Sequence, residues 1–236
     1  MNAKWTRRLF VGLLVLAAGG GCSPIQLISI LSHGRNGSEV PPDHPLLPHL
    51  EEDEDEEDAS IKVVTLVTIP GSAPSEFIGS HRTLAAYFQK HLKTSYESRE
   101  KKIELVPQSE VEDYLNGNPD VRVVSPAQLG RHFRADYVID VELTGLQMFE
   151  PGTIQLFQGK ADVSVVVHDI VDGDLEFPPF DYVSRYPKVA PQMRGFETTT
   201  TTFRQKFLMN MARELAWKFV PHLREEERVQ SQGLIE

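Results

Sequence analysis

The chain has 236 residues, enough for one sizeable domain with tails. Its net charge of -10 is largely local: Glu51–Asp58 is eight consecutive acids, and from Ala59 onward 20 Lys/Arg face 24 Asp/Glu. A nearly balanced domain with no basic patch argues against nucleic-acid binding, and the single cysteine excludes an internal disulfide and a thiolate metal cage.

The first elements concern address rather than fold. Lys4, Arg7 and Arg8 precede an apolar run, Leu9–Ala18, and then the small residues Gly19-Gly20-Gly21-Cys22. That is the layout of an export signal over residues 1–21, with an apolar run too short to span a bilayer as a mature helix. A cysteine directly after small residues resembles a bacterial lipobox, which makes Cys22 the expected lipidation site, although Gly19 stands where leucine is usual. An ordinary cleaved signal or an uncleaved anchor is the alternative. Thr6-Arg7-Arg8-Leu9-Phe10-Val11 also resembles a twin-arginine motif, though two arginines equally supply plain n-region charge. Ser23 after the cysteine resembles an outer-membrane sorting signature, so the expected location is the envelope, outer membrane facing the periplasm.

Residues 22–60 read as anchor and linker. Pro24–Leu31 is apolar, Gly34–Pro48 is rich in Gly, Pro, Ser and Asn, and the acid run lacks the glycine and carbonyl spacing of a calcium loop. The acids are expected to form a self-repelling spacer. As a flexible coil, Ser23 to Ser60 would reach roughly 35 Å.

Residues 61–222 read as a single globular domain, followed by a charged tail, 223–236. Ile61–Ile69 is an apolar, β-branched run closed by Pro70-Gly71, a buried strand. Ser75 is a candidate cap for a helix that places Phe77, His81, Leu84, Ala85, Phe88 and Leu92 on one face. Ile103–Val106 is a short second strand. Ser109–Glu112 and Ser125–Gln128 each fit a capping box, the second with Pro126 in the first helical position.

Two long alternating runs follow. Tyr137, Ile139, Val141 and Leu143 alternate with polar residues, then the phase slips at Gly145, which predicts a β-bulge. Ala161, Val163, Val165 and Val167 repeat the pattern, with Pro151-Gly152 as the turn between the runs. The expectation is an antiparallel hairpin with one face buried and the other wet, and a tight turn at Asp172-Gly173 into a third strand. Pro178-Pro179 and Pro187 mark that strand as an edge. The hydroxyls of Thr198–Thr202 suit a helix start, and Phe203, Phe207, Leu208, Met211, Ala212, Leu215 and Phe219 define its apolar face.

The fold class is therefore α/β (α+β): a single mixed sheet in the order β-α-β-α-α-β-β-β-α, with the first and last helices packed on one face. With the exported cysteine, the phrases ADYVIDVELTGL and ADVSVVVHDIVDGDLEF resemble the fold group of the curli-secretion lipoprotein, the penicillin-binding-protein activator lipoprotein and the N-terminal domain of TolB. That likeness covers about Ile61 to His222. It implies an envelope domain that binds other proteins and is not an enzyme.

No chemical motif contradicts that. The sequence has no G-x-S-x-G elbow and no H-E-x-x-H pair, and Gly71–Gly79 lacks the lysine of a phosphate loop. His168-Asp169 at a strand end is the one acid–base candidate, with a solvated or turn-stabilising role as the plainer reading. No cofactor and no metal are expected. Phe177, Phe180, Tyr182 and Tyr186 lie on the proline-flanked edge and are candidate partner-binding residues; packing over the core is their other reading. The resulting expectation is a non-catalytic protein-binding or assembly module. Its partners are the lipid bilayer, through acylated Cys22, and an unidentified envelope protein. An envelope hydrolase or small-ligand binder using His168 and nearby acids is the alternative.

Overall fold

The computed structural model describes residues 39–49, 59–117, 125–153, 156–173, 176–188, 193–194 and 198–224. Cys22, Glu51–Asp58 and the charged tail beyond residue 224 lie outside them. The chain divides into two units, Met1–Glu39 and Val40–Glu236, and the description below concerns the second.

The strands are β1 (Glu39–Val40), β2 (Ser60–Thr68), β3 (Lys102–Leu105), β4 (Tyr137–Phe149), β5 (Leu156–Asp169), β6 (Phe180–Tyr186), β7 (Met193–Arg194) and β8 (His222–Leu223). The helices are α1 (Ser80–Glu97), α2 (Gln108–Gly117), α3 (Pro126–Phe133) and α4 (Thr200–Trp217). The main sheet runs β3-β2-β4-β5-β6, with β7 also on β5; β1 and β8 form a separate two-stranded ribbon. β2 is parallel to β3 and to β4, because helices carry those crossovers, and β4, β5 and β6 form an antiparallel meander. The fold class expected from the sequence is that observed, and so is the element order apart from the unexpected two-residue strands β1, β7 and β8, of which β1 and β8 form a ribbon outside the main sheet.

Parity decides the faces. Ile61, Val63 and Val67 of β2, Tyr137 to Leu143 at alternate positions of β4, and Ala161 to Val167 of β5 share one core with Leu84, Phe88 and Leu92 of α1 and Phe203, Phe207, Met211 and Leu215 of α4. Each fully buried phenylalanine here contributes about 2 kcal/mol by leaving water. Phe157 of β5 stacks on Phe203 of α4 at 4.8 Å between centroids, tying the hairpin to the last helix.

The alternation on β4 is interrupted where expected. The register with β5 shifts between Leu143 and Gly145, so Thr144 is the extra residue, and Leu146 and Met148 return to the buried face.

Four expectations are corrected. The second sheet face is not simply wet: Val111 of α2 and Leu129 of α3 cover Val64, Val106 and Val138, because β2 and the start of β4 carry apolar residues at both parities. Ser75 does not cap α1; it begins a single 3-10 turn, Ser75–Phe77, and Gly79 at φ 75° turns the chain into the helix. Ser109 lies inside α2, which begins one residue earlier at Gln108. The link from β5 to β6 is not a tight hairpin but spans residues 170–179, since Pro178-Pro179 cannot donate to the ladder and delays pairing until Phe180 meets Val165.

Two caps stand as read. Ser125 Oγ accepts from Gln128 N at 3.2 Å, with proline next in line, and Thr199 Oγ1 accepts from Thr202 N at 3.2 Å.

Residues 40–49, part of the stretch read as linker, pack on the domain as a strap. Leu46 is buried in the main core, His44 N donates to Lys218 O at 2.8 Å, and the Tyr137 hydroxyl donates to Leu47 O at 2.7 Å. Proline-rich chain needs few backbone partners, and here one inserted leucine and two hydrogen bonds tie it down.

Candidate functional site

β6 is the last strand of the sheet order and carries three of the four aromatic candidates. Alternation divides it. Phe180, Tyr182 and Tyr186 face the core, while Asp181, Val183 and Arg185 face out. Tyr186 is only 6% exposed, which makes it part of the core. Phe177 and Phe180 are half-buried and sit under the strap: the His44 ring stacks on Phe180 at 4.0 Å and lies 5.2 Å from Phe177. The four aromatics therefore do not form one exposed patch. The large apolar residue that β6 does expose is Val183, at 51%.

Beside this edge lies a pocket of about 350 Å³, bordered by Val40, Pro41 and Asp43 of the strap, Tyr182 and Val183 of β6, and the C-terminal end of α4. Trp217 and His222 stack within its wall at 4.5 Å. Its charges are paired: Lys188 Nζ lies 2.8 Å from Glu214 Oε1, and Lys218 Nζ lies 2.7 Å from Asp43 Oδ2. Asp43 is held below its usual range chiefly by that hydrogen bond from Lys218. The Ser184 hydroxyl donates to Glu214 Oε2 at 2.5 Å, so a largely buried carboxylate is satisfied from two sides. The Tyr182 hydroxyl is buried without a hydrogen-bond partner, and burial first, then the Glu214 carboxylate, push its pKa well up. A cleft with neutralised walls and aromatic rings suits an apolar or uncharged group better than an ion.

His168 and Asp169 separate. Strand alternation sends His168 to the face of its cross-strand partner Val138, and Asp169 to the face of Tyr137. His168 is half-buried and burial lowers its pKa. Asp169 is 4% exposed; its Oδ1 accepts from Val171 N and Asp172 N, both at 2.9 Å. Its Oδ2 lies 3.0 Å from His49 Nε2, on the strap. The two neighbours therefore cannot act as one acid–base pair, and the histidine beside Asp169 is one 120 positions earlier. His81 sits half-buried near the start of α1.

No family model matches the chain, and no curated protein matches it. Solved structures do resemble it in part. The hypothetical protein CT253 from Chlamydia trachomatis is 13% identical, with 68% of this chain and 98% of that one covered at a TM-score of 0.40. PelC from Paraburkholderia phytofirmans, solved as a dodecamer, is 9% identical, covering 76% and 98% at a TM-score of 0.40. The lipoprotein GNA1162 from Neisseria meningitidis is 16% identical, covering 61% and 90% at a TM-score of 0.35. Likeness at this level says nothing of what the chain does.

Sequence reasoning missed the strap's share of the site, together with Trp217 and His222. Trp217 sits on α4 close to its apolar stripe, and His222 follows Pro221, so neither carried a local signal of a pocket. Among the described residues, no helix is long and apolar enough to cross a membrane.

Proposed function

We propose that this chain is a cell-envelope lipoprotein, tethered through acylated Cys22, whose domain binds a protein partner and performs no catalysis. The export layout and the cysteine supply the address, and Ser23 favours the outer membrane. The observation that carries the binding role is the edge strand β6 with Val183 exposed beside the pocket. An extended partner segment can add alongside such an edge while one of its apolar side chains enters the cleft. The two ion pairs in the wall leave no net charge there to select an ionic ligand. On this reading Val183 and Trp217 make contact and Tyr182 forms the floor, while Phe177, Phe180 and Tyr186 support them from the core side.

The address and the surface are tested separately. Labelled fatty acid is expected on the wild-type chain and absent from Cys22→Ala; persistence of the label removes the anchor. A photocrosslinker at Val183 in intact cells is expected to give a discrete protein adduct that Trp217→Ala abolishes. The same group at Ile78, another exposed apolar residue (80%), is expected to give none. Equal adducts from both positions, or none from Val183, overturn the docking role.

A further inference from the structure

The strap brings a second group of side chains together, away from the edge pocket. His49 comes from the strap, Asp169 from the end of β5, and Asp172 from the turn that follows. One ligand atom from each lies within 4.8 Å of the others. We propose that His49, Asp169 and Asp172 form a binding site for a first-row divalent transition-metal ion.

Three observations carry it. First, His49 Nε2 is buried and makes no hydrogen bond, although Asp169 Oδ2 lies only 3.0 Å away. A ring nitrogen that faces a carboxylate in poor hydrogen-bond geometry is only partly satisfied, and a metal ion between the two would satisfy both. Second, the donors are already oriented. The two backbone N–H groups on Asp169 Oδ1 fix that carboxylate with its Oδ2 facing His49 Nε2, while the His49 ring stacks on Tyr137 at 5.3 Å. Such outer contacts hold metal ligands in place. The Tyr137 hydroxyl is turned away to Leu47 O and does not compete. Third, the charge balance asks for a cation: three carboxylates, Asp169, Asp172 and Glu176, gather round one imidazole.

The donor set chooses the ion. One imidazole nitrogen with carboxylate oxygens suits zinc, cobalt or nickel, whereas calcium and magnesium prefer oxygen alone. Asp172 is exposed, and its carboxylate lies within 4.8 Å of the other two ligand atoms. A metal here would bolt the strap to the β5 end of the sheet.

The plainer arrangement is a His49–Asp169 ion pair that latches the strap with no metal. Asp172 separates the two, because the ion pair does not use it. The full chain, free of any affinity-tag histidines, is titrated calorimetrically with zinc, and cobalt uptake is followed by its visible absorption. One saturable ion per chain is expected, with calcium in excess failing to displace it. Asp172→Asn and His49→Ala are each expected to weaken uptake by at least about tenfold. Asp172→Asn should do so with circular dichroism and the thermal midpoint of the metal-free chain unchanged. Absence of saturable uptake, or uptake that survives Asp172→Asn, overturns the site.

Discussion

The ring of Phe207 occupies the space in which a side chain at Gly159 would begin: a Cβ there would come within 2.6 Å of Phe207 Cγ. α4 thus crosses β5 at the one position of that strand's buried row that has no side chain. Gly159→Ala is expected to destabilise the domain by roughly 1–3 kcal/mol, since neither the aromatic core nor the strand can give way cheaply. At Gly145 the nearest atom to a new Cβ is the end of the flexible Asp162 side chain, so Gly145→Ala should cost less. Urea denaturation of the two variants checks the order.

Tyr182→Phe is expected to leave stability unchanged or raise it by about 1 kcal/mol, because the buried hydroxyl it removes has no partner. A fall in the thermal midpoint would instead show that the hydroxyl is satisfied in solution. If the edge pocket takes a partner's side chain, crosslinking from Val183 should persist in this variant.

Histidine burial sets an acid-side slope. Burial lowers the pKa of His91 and of His168 below the ordinary 6.5, and the neighbouring Arg213 and Lys90 lower His91 further. The unfolded chain then binds more protons than the folded one below that value. Stability is full above it and falls as pH drops through the window beneath. Asp140 and Glu176 are raised, first by burial, and act in the opposite sense: their cost is present near neutrality and is relieved as they protonate. Unfolding free energy should therefore fall as pH drops below about 6.5, and His91→Gln should flatten that fall. An equal slope in wild type and variant would assign the dependence to other groups.

Ser125→Ala should cost about 1 kcal/mol, from loss of the hydroxyl that caps α3. Ser75→Ala should cost much less, since Ser75 starts only a single 3-10 turn. Thermal denaturation distinguishes them.

The contrast between those two serines shows what the sequence could reveal. Local physics was legible: the alternation of β4 and β5, the bulge beside Gly145, and caps whose donor and acceptor lie three residues apart at Ser125 and Thr199. Ser75 carried the same residue type, but Gly79 in the left-handed region intervened and moved the helix start. Contacts between distant positions left no such trace. Nothing in the composition of Gly34–Pro48 announces that Leu46 will be buried or that His44 will stack on Phe180. The pairing of His49 with Asp169 likewise joins a proline-rich stretch to a strand end, and periodicity is blind to it. Phe180, Tyr182 and Tyr186 share one parity, so β6 sends all three to the same face; that this face is the covered one follows from distant contacts with the strap and α4, which the strand's own sequence does not carry.

Traction on the N-terminal side of this domain would not meet β2 first. It would arrive at residues 40–49, which are fastened along their length by Lys218, Phe180 and Tyr137. Those fastenings would have to shear before β2 bore any load, so the strap works as a strain relief for that strand, much as a cable clamp guards a solder joint.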